Sequence, residues 1–199
     1  MAEAPKYLDV RAGFWREVWE ASADYATYLD DSEADHADKW RDMATHIVPL
    51  SPDQSARLKG MNRTVHVLVY TGVWCGDCVR QGPMLQQLVE ACDPGVTLRL
   101  HDRDMNASLT DELRVLGAMR VPIVVFLTED FFEIGRFGDR MLTIYRAKAT
   151  RELGAACSTG LIAPPADELA AERDEWLDIF ERMLLMARLS PPLRQRYGD

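Results

Sequence analysis

The chain opens on a helical rhythm. Phe14, Val18, Tyr25 and Leu29 recur at near-helical spacing across residues 7–31, with Trp15 and Trp19 beside them and no proline. That pattern predicts a single amphipathic helix. Residues 33–47 repeat the rhythm through Ala37, Trp40, Ala44 and Ile47. Ser51 and Pro52 form an N-cap and first-turn pair for a short helix that Gly60 closes. Residues 46–50 read either as the end of the second helix or as a short strand. The tryptophans and tyrosines of this region are the face expected to dock these helices on the sheet, with partner binding as the competing use.

The period changes at residue 65. Val65, Val67 and Val69 alternate with His66, Leu68 and Tyr70 before Thr71 and Gly72, a run of β-formers that predicts a buried strand. A helix is expected over 76–91, kinked by the ring and missing N–H of Pro83. Residues 96–101 give a second strand, and the charged turn Asp102, Arg103, Asp104 leads into a helix over 108–116 with Gly117 as its C-cap. Pro122 opens the most apolar stretch, 123–127, to which 131–137 can return antiparallel across Glu129 and Asp130. A helix over 139–153, an irregular link through Pro165 and an amphipathic helix over 167–189 complete the prediction. His66 and His101 fall in strands, where a packed or edge histidine is the simpler reading than a metal ligand.

Composition narrows the classes. The 199 residues, 47% hydrophobic and 28% charged, suit one domain that buries a sizeable core without disulfides or metals. With 23 Lys and Arg against 32 Asp and Glu, the net charge of −9 opposes binding to nucleic acid or anionic membrane, and no basic patch offsets it. No secretory apolar core is visible near the N-terminus and no run is long enough to span a bilayer, so the expected location is cytoplasmic. Four cysteines in a reducing compartment are not expected to be structural bridges, and only Cys75 and Cys78 stand close together.

Those two, separated by two residues between a buried strand and a helix, read as a dithiol with its first sulfur at a helix N-terminus. Free N–H groups there stabilise a thiolate, which is the nucleophile in thiol–disulfide exchange. Cys75 is expected to attack and Cys78 to resolve. Zinc needs four ligands, and neither a second such pair nor a suitably spaced His pair is present, so no metal is expected. Cys92 and Cys157 have no partner in sequence and read as small buried hydrophobes.

At these residues the sequence resembles the thioredoxin family. Trp74 precedes the dithiol, Pro83 lies five residues after Cys78, Val121–Pro122 begins a strand, and Gly138 follows that proline by sixteen residues. Within the family, the Trp74-Cys75-Gly76-Asp77-Cys78 motif with its Asp102, Arg103, Asp104 turn resembles a group of bacterial thioredoxin-like proteins. The resemblance implies an α/β thioredoxin-like fold, a central mixed β-sheet flanked by helices, over residues 62–153. Residues 1–61 would be an N-terminal helical extension that can include the first strand and helix of the fold, and 154–199 a linker and added C-terminal helix on the same domain. It further implies thiol–disulfide oxidoreduction through Cys75 and Cys78 on a protein or small-molecule disulfide. Trp74 would contact substrate, a cis Val121–Pro122 bond would shape the groove, and the Val121 backbone would pair with the substrate. An upstream reductase would supply electrons, with no cofactor beyond the dithiol itself. The rival reading is a binding or redox-sensing module whose helical extensions recruit a partner.

Two departures from the family bear on mechanism. The position six residues before the first cysteine, often a buried Asp in thioredoxins, is Val69, and the proline between the cysteines is replaced by Asp77. At ~7 Å and an effective dielectric of ~40, a carboxylate there would repel the Cys75 thiolate by ~1.2 kcal/mol. That is comparable with the ~0.3–1 kcal/mol of an exposed helix terminus. The two effects should roughly cancel, so Cys75 is expected to stay closer to a free thiol than to the very acidic thiols of strong oxidants, favouring a reductase. Arg80, the cation that could offset Asp77, reads more simply as a solvated helical side chain.

Overall fold

The computed structural model describes residues 7–153 and 167–199. Its centre is a four-stranded mixed sheet in the order β2-β1-β3-β4, formed by β1 (Val65–Thr71), β2 (Val96–Asp102), β3 (Ile123–Thr128) and β4 (Glu133–Gly138). The β1 and β2 strands run parallel, with Val65 beside Val96 and Thr71 beside Asp102. Strand β3 lies antiparallel to both β1 and β4. Every residue of β1 except His66 is buried, so both faces of the sheet must be covered.

Helices supply that cover. On one face lie α1 (Ala12–Glu20) and α6 (Ala107–Glu112); there the Tyr70 hydroxyl meets Thr110 Oγ1 at 2.8 Å. The opposite face carries α5 (Gly76–Ala91) and α8 (Glu168–Leu189), with Phe180 of α8 edge-on to Phe126 of β3 at 5.0 Å. Helix α3 (Ala34–His46) packs against α5, and α7 (Leu142–Leu153) against α8. The aromatic residues of the N-terminal region are core: Trp15 and Trp40 are fully buried, and Trp19 and Tyr28 nearly so. The α/β thioredoxin-like fold with added helices is therefore the observed architecture.

Several elements differ from expectation. The helix expected over 7–31 is broken in two, α1 and α2 (Tyr25–Asp30). Between them Ala23 bridges Leu100 of β2, donating at 3.1 Å and accepting at 2.7 Å. Asp24 then restarts the helix by accepting from the Thr27 N–H. Helix α3 stops at His46, and 47–50 is neither helix nor strand. A capping box between Ser51 and Gln54 starts α4 (Pro52–Ala56). Helix α6 ends at Glu112, so Gly117 is not its C-cap. Instead Leu116 and Gly117, with φ of 51° and 76°, turn the chain so that Val115 and Ala118 exchange backbone hydrogen bonds, as in a two-residue hairpin turn. Phe131, with φ 63°, belongs to the β3–β4 turn rather than to β4. The final helix is followed by α9 (Pro191–Tyr197), which was not expected. The expected link through Pro165, and Cys157 within it, lie outside the described residues.

Candidate active site

Strand β1 ends at Thr71, and the chain turns through Gly72, Val73 and Trp74 into α5. Cys75 is the N-cap of that helix. Cys75 is half-buried while Cys78, one turn further, is wholly buried. The two sulfurs interact directly, and the interaction shifts their thiols in opposite directions. The Cys75 thiol is lowered to about 6, first by a hydrogen bond from Cys78, which outweighs burial, then by the Cys78 and Asp77 backbone N–H groups. The Asp77 charge works the other way. Burial, joined by the bond and charge of Cys75, pushes the Cys78 thiol well above its ordinary value. At neutral pH the pair thus presents one half-buried thiolate and one buried thiol.

The expectation that the helix terminus and Asp77 roughly cancel at Cys75 therefore needs correction, on two grounds. Hydrogen bonds to the sulfur from its neighbours, which a helix-terminus estimate omits, dominate the balance. Asp77 is also not a free charge: Arg140, from the loop after β4, pairs with it at 2.5 Å. Arg80 does not offset Asp77. Its guanidinium is held by Glu168 at 2.6 Å and by the buried Glu172 at 2.5 Å, both from α8. Alkylation of Cys75 by iodoacetamide, followed against pH, should show a midpoint near 6. In Arg140→Ala that midpoint should rise, by up to ~1 unit, and Arg140→Ala with Asp77→Asn should bring it back. An unmoved midpoint in Arg140→Ala would show that the pair does not shield the sulfur.

Opposite the dithiol, the Val121 carbonyl accepts from the Cys75 thiol at 3.7 Å. The Val121–Pro122 peptide is cis. Gly138 lies directly behind it with φ 143°, and a Cβ there would come within 2.4 Å of the Pro122 carbonyl oxygen. Only glycine tolerates both conditions. Trp74 is 45% exposed beside the dithiol, with the Arg103 guanidinium 4.5 Å over its ring. The structure thus brings Trp74, Cys75, Gly76, Asp77, Cys78, Val121 and Pro122 to one end of the sheet.

Sequence reading missed the frame around them. Asp139, 2% exposed, holds Arg120 at 2.9 Å and Arg140 at 3.5 Å and accepts from the Tyr145 hydroxyl. Burial opposes its ionisation, yet the bonds from Tyr145 and Arg120 keep its carboxyl below the usual range. One carboxylate therefore ties the segment before Val121 to the partner of Asp77. On the other side the N-terminal helices grip the loop before the dithiol, where Trp40 Nε1 donates to the Val73 carbonyl at 2.9 Å. These residues lie tens of positions from the motif, and nothing in their own spacing marks them. Cys92 is buried, with burial pushing its thiol up to about 12.

A sequence model of the thioredoxin family matches residues 22–151. The chain belongs to the thioredoxin family. Thiol–disulfide redox activity is the general chemistry of this family, and the paired Cys75 and Cys78 fit it. Among solved structures, the thioredoxin-family chain is similar to a protein of unknown function from Pseudomonas aeruginosa. The two are 19% identical, with a TM-score of 0.65, over 86% of this chain and 97% of the other. An HIV epitope-scaffold is similar at 18% identity and TM-score 0.54, over 92% of this chain and 98% of the scaffold. At such identities the likeness is one of fold. No curated protein matches the sequence. Among the described residues, no helix is long and apolar enough to cross a membrane, and no group of three or more His, Cys, Asp or Glu is placed to hold a metal.

Proposed function

We propose that this protein is a thiol–disulfide oxidoreductase that reduces protein or small-molecule disulfides. The observation that carries the reading is the split of the dithiol into a half-buried thiol lowered to about 6 and a fully buried one held protonated. The Cys75 thiolate attacks a substrate sulfur, forming a mixed disulfide and expelling the first substrate thiolate. Cys78 then attacks the Cys75 sulfur, closing the Cys75–Cys78 disulfide and releasing the second substrate sulfur with the proton. The protein loses two electrons and the substrate gains them; an upstream reductase restores the dithiol, and no other cofactor takes part. The Val121 backbone, facing Cys75, offers an extended substrate a pairing edge, and the exposed Trp74 ring a surface beside it.

The reductive direction is supported by the Cys75 value of about 6. It lies closer to the roughly 7 of thioredoxin than to the roughly 3.5 of a strong oxidant, whose thiolate is too stable to keep electrons available. The acidic chain, without a membrane-spanning helix among its described residues, suits the cytoplasm, where such electrons are supplied. The test is reduction of insulin disulfides by catalytic amounts of the protein with dithiothreitol as electron source. Turnover well above the dithiothreitol background is expected; a rate equal to background would leave the binding or sensing reading in its place.

A further inference from the structure

Resolution requires a thiolate at Cys78, whose side chain is fully buried at the base of the site. Among the groups that act on its sulfur is the side chain of Thr71, the last residue of β1. Thr71 is itself fully buried, and its hydroxyl has no well-aligned hydrogen-bond partner. Buried hydroxyls are ordinarily satisfied, so an orphan beside a reacting atom calls for a reason. The neighbouring polar groups have other commitments. The Tyr28 hydroxyl, from α2, donates to Asp102 Oδ2 of β2 at 3.3 Å, and Asp102 Oδ1 accepts from the Asp104 N–H. The Cys75 thiol faces the Val121 carbonyl. Val69, two residues earlier on the same face of β1, is apolar.

We propose that Thr71 is a catalytic residue of the exchange, its hydroxyl donating to the Cys78 sulfur as that sulfur becomes a thiolate and attacks. The proposal rests on the oxidoreductase reading above and adds the group that makes its second half fast. The step balances without another reagent. The Cys78 S–H bond breaks, the Cys78–Cys75 bond forms as the Cys75–substrate bond breaks, and the proton ends on the departing substrate thiolate or in water. Thr71 neither gains nor loses a proton; it donates a hydrogen bond that the neutral thiol does not need. The groups around Cys78 act on it in opposite senses: burial and Cys75 oppose its ionisation, whereas the Thr71 hydroxyl and the Gly72 N–H favour it. Tyr28, close enough to feel the Cys78 charge, has its own hydroxyl turned to Asp102.

The experiment mixes the reduced protein with dithionitrobenzoate, whose yellow aryl thiolate is released once on attack by Cys75 and once on resolution by Cys78. Removing the hydroxyl in the isosteric Thr71→Val should lower the rate of the second release relative to the first by ~10-fold or more. The rise of that second rate should move to higher pH, because the thiolate has lost a donor. Thr71→Ser should restore both, and Thr71→Ala, which cannot overpack, should behave as Thr71→Val. Because Thr71 Oγ1 makes no well-aligned hydrogen bond in the reduced fold, the melting temperature of Thr71→Val should stay or rise. An unchanged ratio, an equal slowing of both releases, or a failure of serine to rescue would overturn the proposal. A wild-type protein that releases no aryl thiolate at all would instead bring down the oxidoreductase reading itself.

Discussion

Cys75→Ser should reduce no disulfide above the uncatalysed background, whereas Cys78→Ser should react once and stop as a covalent adduct. The asymmetry follows from exposure and charge. Cys75 is the half-buried sulfur lowered to about 6, so most of it is thiolate at pH 7, and a serine hydroxyl in its place is not ionised. Cys78 is fully buried and held protonated, so it cannot meet an external disulfide first. Without it the mixed disulfide at Cys75 has no intramolecular attacker. Mass spectrometry after incubation with excess disulfide should find one adduct on Cys78→Ser and none on Cys75→Ser. Equal trapping by the two variants would contradict the assignment. Cys92→Ser should leave turnover within about twofold, since a buried thiol pushed up to about 12 supplies no thiolate near neutrality.

Trp40→Ala should be the most destabilising single change near the site, costing ~3–5 kcal/mol. The ring is fully buried between the N-terminal helices and α5, 5.9 Å from the Tyr28 ring and 6.1 Å from that of Tyr25, and its Nε1 holds the Val73 carbonyl. Gly82 on α5 makes room for it: a Cβ there would fall 1.9 Å from Trp40 Cζ3. Gly82→Ala should therefore destabilise by ~1–3 kcal/mol or more, against the ~1 kcal/mol gain that helix propensity alone would give. Urea unfolding of both variants decides the matter. A loss below ~1 kcal/mol in Trp40→Ala would mean that the joint between α3 and α5 is not a main support of the fold. Both variants should also slow exchange at Cys75, because the Val73 carbonyl and the turn leading into the dithiol lose their anchor.

Local signals were enough for much of the protein. Alternation at 65–70 announced β1, because a strand inside a covered sheet must be apolar on both faces. Ser51 with Pro52 announced α4, because a cap and a fixed φ are satisfied within one turn. Two cysteines one helical turn apart after a strand announced the dithiol, because their chemistry depends on a spacing the sequence itself contains. The resemblance at Trp74, Pro83, Pro122 and Gly138 then carried the fold across the whole sheet.

What tertiary structure decided are interactions between distant positions. Residues 21–24 look helical by periodicity, but a backbone bridge from Ala23 to Leu100 and the Asp24 cap outweigh it. From the sequence, Asp77 was the nearest assured carboxylate to the sulfurs and was expected to cancel the helix terminus at Cys75. Once folded, Cys78 donates to the sulfur and outweighs the opposing Asp77 charge, with which Arg140 is paired. Arg80, two residues from the dithiol, turns instead to a buried carboxylate more than ninety positions away. Sequence periodicity reports which side of an element is buried. Which charge meets which depends on how the elements cross, and in this protein that crossing sets the electrostatics of the dithiol.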